Sequence, residues 1–330
     1  MQPKTKRKSK RLGALKVIGF WVVLGLVLTY NRQGIIDAWR LHTYQPTPAV
    51  AAIARDDTMT PKARNIFYVN EPVITAKTAF SNQCPSGTER TVVLGCYHSN
   101  QNGIFVLKVT DNRLNGVEQV TAAHEMLHAA YDRLSGSQKH TIDAELQAFY
   151  ANGLTDQVVK QQIADYQKSE PNDVTNEMHS LFATEVTKLP TDLETYYGRY
   201  FTDRQAVIKL YDGYEAEFTG RQATIQADDT KLAAMRQQIT TMEPALQQQA
   251  ADLDTQRAQL EAKRQSGDVR GYNAAVPGYN ASVNEYNAKA DTLRSLIAAY
   301  NRLVAERNAV AAETNQLTAE ISNSVPSIQQ

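Results

Sequence analysis

Along this 330-residue chain the spacing of hydrophobic and polar positions changes four times. Residues 17–30 (VIGFWVVLGLVLTY) come first and carry no charge. Residues 35–41 continue with helical spacing, and 44–50, with Pro46 and Pro48, read as an extended linker. Short clusters of β-branched and aromatic residues follow at 66–70 (IFYVN), 91–98 (TVVLGCYH) and 104–110 (IFVLKVT), and these predict three strands. Between the last two lies SNQNG, whose turn chemistry predicts an antiparallel hairpin. From residue 120 the period becomes helical. Helices are expected over 120–134, 137–150, 156–167, 173–188 and 192–218, punctuated by Pro171 and Pro190.

Beyond Gly220 the period becomes seven. Val269, Val276, Val283, Ala290, Ile297, Val304 and Ala311 form one row; Tyr272, Tyr279, Tyr286, Leu293 and Tyr300 form another, offset by three. Such rows are the a and d positions of a coiled coil. Asn follows four of the tyrosines, at 273, 280, 287 and 301. An earlier seam runs through Leu232, Met235, Ile239, Met242, Leu246, Leu253 and Leu260. QSGDVRG at 265–271 separates the seams. The pattern predicts two long helices over 221–323, folded back as an antiparallel hairpin, with Pro277 kinking the second or moving the turn. A parallel homodimer is the other reading. Tyr at d is bulky for a two-stranded seam, so self-association or a partner groove is open.

Charge adds an orientation. The balance is even, with 35 basic and 35 acidic residues, which gives no footprint for nucleic acid. Lys4, Lys6, Arg7, Lys8, Lys10, Arg11 and Lys16 nevertheless crowd the start without an acid among them. Residues 1–11 then read as a cytoplasmic tail and 12–30 as a transmembrane signal anchor, with Lys16 snorkelling to the interface. No small-x-small cleavage site follows, which favours an uncleaved anchor over a signal peptide. The expected place is the cell membrane, single-pass, with everything beyond the anchor outside the cytoplasm. Cys84 and Cys96, the only cysteines, then invite a disulfide. Free thiols or a zinc pair are the alternatives, but the spacing fits no zinc ribbon.

The chemistry concentrates at residues 120–134, VTAAHEMLHAAYDRL. His124, Glu125 and His128 make H-E-x-x-H. Residues four apart share a helix face, so both imidazoles can meet one Zn²⁺. Glu125 stands one step round, within reach of a zinc-polarised water, whose pKa falls to about 7. A catalytic zinc usually takes a third protein ligand. The extended motif with a third histidine is absent, since Tyr131 and Leu134 occupy its Gly and His positions. NEMHSLFATEV at 176–186 offers Glu177, with Glu185 as the alternative and His179 as the least favoured. Glu185 lies eight residues past Glu177, about 80° round a helix, so the two do not both bind one ion.

Asn176-Glu177 followed by SLFAT resembles the helix that carries the third ligand in gluzincins, the thermolysin-like zinc peptidases, with one residue fewer in between. Leu181 stands where their second carboxylate would be. The resemblance covers about thirty residues in two helices. More broadly the chain resembles membrane-anchored bacterial proteins that join a zinc-peptidase-like domain to a Tyr/Asn-rich coiled coil. It implies an α+β zincin-like domain, a small antiparallel sheet plus helices, over 61–220. One transmembrane helix and a linker (31–60) precede it; the coiled coil (221–323) and a tail (324–330) follow. The expected function is hydrolysis of a peptide or protein substrate, with one Zn²⁺, Glu125 as general base, and Tyr131, Tyr196, Tyr197 or Tyr200 at the oxyanion. A non-enzymatic envelope coiled-coil protein with a structural zinc is the alternative.

Overall fold

The computed structural model describes residues 20–23, 25, 27, 31–84, 94–99 and 103–322. Helix α1 is Arg32–Thr43, α2 is Pro48–Asp56 and α3 is Pro61–Val69. Thr47 and Thr60 start the second and third. Their hydroxyls accept from the Val50 and Ala63 N–H groups, and a proline follows each as the first helical residue. The cluster at 66–70 is therefore helix rather than strand. Its apolar side chains face the core from one side of α3, with Ala63, Ile66, Phe67 and Val69 buried. Capping and burial override the β propensity.

The sheet has three strands: β1 Val73–Thr75, β2 Gly95–His98 and β3 Gly103–Leu107. Helix α4, Lys77–Gln83, follows β1. The strand order is β1-β3-β2. β2 and β3 pair antiparallel, with Cys96 opposite Phe105, whereas β1 and β3 pair parallel. Residues 91–93 of the expected second strand, and 100–102 of its turn, lie outside the described residues. The sheet is thus mixed, not antiparallel, and small. The α+β expectation is overturned: the described chain is predominantly helical, with long C-terminal helices. Among the described residues only twelve lie in its strands.

Helix α5, Val117–Asp132, is the centre of the fold. Apolar side chains occur all round it, so it is buried by neighbours on every side. It packs on α2, α3, β2, β3 and α8. The remaining helices are α6 Gly136–Asn152, α7 Gln157–Ser169, α8 Val174–Glu185 and α9 Thr191–Tyr197. A full capping box starts α6: Ser135 accepts from the Gln138 N–H and the Gln138 side chain accepts from the Ser135 N–H. Gly116 precedes α5 at φ +107, and a Cβ there would sit 2.8 Å from the Leu210 carbonyl oxygen. No other residue type fits.

The expected helix over 192–218 is broken between Tyr197 and Arg204. Helix α10, Arg204–Gln265, and α11, Val269–Ile321, complete the chain. One compact unit holds the described residues up to Tyr214, and the other is Glu215–Glu320. Within the second, the long helices meet at a turn containing Gly267 at φ +79. Arg307 donates to both Asp229 oxygens, at 2.9 and 3.2 Å, and Arg221 lies 3.6 Å from Glu313. These pairings set the helices antiparallel. Pro244 and Pro277 lie inside the helices, and Pro277 does not move the turn.

The expected anchor, 12–30, lies mostly outside the described residues. Among those described, no helix is long and apolar enough to cross a membrane. The single-pass, cell-membrane reading is overturned. The uncharged run in the sequence, 17–30, is 14 residues, and a helix of that length would rise about 21 Å, short of the roughly 30 Å of hydrocarbon.

Candidate metal centre

Helix α5 presents His124 and His128 on one face, and α8 packs across that face. Nine consecutive residues of α8, Asn176 to Thr184, are buried, and Glu177 is among them. The Glu177 carboxylate reaches both histidines. Its Oε1 is 3.3 Å from His124 Nε2 and its Oε2 is 3.4 Å from His128 Nε2. The two Nε2 atoms are 3.0 Å apart. Ligands held tetrahedrally at 2.0–2.1 Å from zinc lie about 3.3 Å from one another. The two imidazole nitrogens and the carboxylate, which turns one oxygen toward each, thus already converge at that spacing. Two imidazoles and a carboxylate are also zinc's usual nitrogen and oxygen donors.

The electrostatics agree with a cation at this point. Burial alone would lower both imidazoles, but hydrogen bonding and charge from Glu177 outweigh it, and His128 is pushed up to about 10. Burial would raise Glu177; the two histidines outweigh it and hold the carboxyl far below its usual range. Two imidazoles whose Nε2 atoms face each other can share only one proton between them. The buried Glu177 carboxylate is what favours positive charge beside it, whether an imidazolium or a metal ion.

Glu125 points to the sheet side of the same helix turn. The Tyr97 backbone N–H of β2 hydrogen-bonds its carboxylate, while burial raises its pKa. Gly95 makes this approach possible. A Cβ there would meet Thr121 Cγ2 at 2.5 Å and Glu125 Oε1 at 2.8 Å. Neither Gly95 nor the Tyr97 N–H carried a sequence signal beyond a glycine inside a strand, which marks close backbone approach.

Beside His128 lies Asn176. Its Nδ2 donates to Asp173 at 3.2 Å, and its buried Oδ1 faces the imidazole without a well-formed hydrogen bond.

The other expected residues go elsewhere. Glu185 is not in the convergent group. Gln162 and Tyr211 hydrogen-bond it, and burial pushes its pKa up to about 7. His179 is wholly buried in an aromatic cluster, with Nε2 2.9 Å from the Tyr196 hydroxyl. Burial pulls it down to about 3, so it is neutral. All four candidate tyrosines are engaged away from the metal donors. Tyr131 donates to Asp143, Tyr197 to the His179 carbonyl, and the Tyr196 and Tyr200 hydroxyls face each other. Tyr211 was missed because nothing in its local pattern separates it from other core tyrosines. Cys84 and Cys96 are joined in a disulfide.

No protein-family model, curated protein or solved structure matches the chain.

Proposed function

We propose that this chain is a zinc-dependent metallopeptidase of gluzincin type, with His124, His128 and Glu177 as the metal ligands and Glu125 as general base. The observation that carries the reading is the meeting of three donors from two helices at zinc-coordination spacing, with a separate carboxylate held one helical step away. A purely structural ion has no need of that fourth group.

Bound zinc supplies Lewis acidity, polarising a carbonyl and making water acidic near neutral pH. The chain supplies the rest. Glu125 takes a proton from the attacking water on its carboxylate and passes it to the leaving amine nitrogen. The Tyr97 N–H keeps that carboxylate aimed. Among the described residues β2 pairs with β3 alone, and an edge strand can add an extended peptide by main-chain hydrogen bonds. The substrate class is accordingly a peptide or an unfolded protein segment.

Glu125→Gln preserves shape and both histidines but removes the base. It should retain about one zinc per chain and lose hydrolysis of an unfolded protein by about 10²–10⁴-fold. Unchanged cleavage by the variant would sink the mechanism. A wild type that holds zinc yet cleaves no unfolded protein would favour a structural ion in a non-enzymatic protein.

A further inference from the structure

A second group of metal-binding atoms lies where α4 meets β2. Cys84 directly follows α4, while Cys96 and His98, two apart on β2, share a strand face. Cys96 Sγ is 3.4 Å from His98 Nε2, and that nitrogen is 2.9 Å from the Gln83 carbonyl oxygen. The Cα atoms of the bridged cysteines are 5.9 Å apart. Their places do not depend on the bridge alone. Phe80, Cys84 and Leu107 form a small core of their own, and Leu94, Cys96 and Phe105 pack against it. The β2–β3 register fixes Cys96 opposite Phe105. With the bridge broken, two thiols therefore still face one another beside an imidazole. The proposed peptidase chemistry uses none of these side chains.

We propose that reduction of the Cys84–Cys96 bridge turns this group into a site for a thiophilic cation, Zn²⁺ or Cu⁺, held by Cys84 Sγ, Cys96 Sγ and His98 Nε2. The reductant is a dithiol. Its two sulfurs give two electrons and two protons to the bridge and leave joined as a disulfide. The cation then displaces both cysteine protons to solvent. His98 keeps a single ring proton, which moves from Nε2 to Nδ1 and frees Nε2 as a donor. Two thiolates and an imidazole suit Zn²⁺ and Cu⁺ and disfavour hard cations. The Cα spacing lets both sulfurs reach one ion by side-chain rotation.

Co²⁺ titration of the full chain tests this, with and without a phosphine reductant. A sulfur-to-cobalt charge-transfer band in the near ultraviolet reports thiolate ligation; the donors on α5 and α8 contain no sulfur, so the first centre is silent. Reduced wild type should gain the band up to one equivalent, and the oxidised protein should show none. His128→Ala should keep it, whatever becomes of the first centre. His98→Ala should weaken it about tenfold or more, since a ligand is lost. Stepwise addition of Zn²⁺ and of Cu⁺ shows which displaces cobalt at one equivalent. No band in reduced wild type, or equal affinity in His98→Ala, overturns the site. Should reduction unfold the chain, Zn²⁺ must restore the helical circular dichroism of wild type and not of His98→Ala; absence of that difference overturns it equally.

Discussion

At the residue scale, the H-E-x-x-H helix was legible because its chemistry depends on one spacing and one helix face. His179 and the four tyrosines were not. Whether an imidazole or a phenol is a ligand or a core group depends on what packs around it, and Tyr196 settles that for His179. Asp57 is a further residue of this kind. It is wholly buried, and neither carboxyl oxygen has a hydrogen bond among the described residues. Burial raises its pKa well above the ordinary value, and the charge of Asp56 adds to this. As pH rises, the folded chain therefore gives up this proton later than the unfolded chain does. This contribution to stability is whole below about pH 3.9 and is lost as pH rises through the folded value. Asp57→Asn removes the titration. It should stabilise by on the order of 1–3 kcal/mol at neutral pH, with the gain shrinking as pH falls. Urea denaturation across pH reads this; a gain independent of pH would contradict it.

At the element scale, two contacts hold the working helices in place. Gly95 lets β2 lie against Glu125. Gly95→Ala should cost about 1–3 kcal/mol and depress hydrolysis while zinc content stays near wild type, because the metal donors lie on other side chains. Loss of zinc in that variant would place Gly95 under the ligands instead of the base. Arg204 closes α8. Its guanidinium donates to the Val186 carbonyl at 2.7 Å, Thr187 at 3.0 Å and Ala183 at 3.2 Å, and also pairs with Glu194. Those of Ala183 and Val186 are among the carbonyls a helix end leaves unpaired, and Thr187 follows the cap. Arg204→Ala should cost about 3 kcal/mol or more by urea denaturation. A loss under about 1 kcal/mol would mean that water replaces the guanidinium. Sequence reading found the helices from their period and missed both contacts, since each joins positions far apart in the chain. It also misread residues 66–70, where Thr60 and Pro61 start a helix through a strand-like composition.

At the scale of the whole molecule, long-range heptads made the two C-terminal helices legible, and the turn at Gly267 falls inside the expected QSGDVRG. The N-terminal apolar run was read as a membrane span, and among the described residues no helix is long and apolar enough to cross one. Leu246 is the most buried member of the first seam. Leu246→Ala should lower the stability of the helical hairpin by about 2 kcal/mol and leave metal content unchanged, as expected of a site with no shared partners. Thermal melting alongside metal analysis checks both halves. The central claim is that His124, His128 and Glu177 hold one zinc. Its most direct test is the zinc content of the purified full chain. Wild type and Glu185→Ala should carry about one zinc each, and His128→Ala and Glu177→Ala should carry almost none. Zinc retained by Glu177→Ala and lost from Glu185→Ala would contradict the ligand set, and no zinc in wild type would contradict the centre itself.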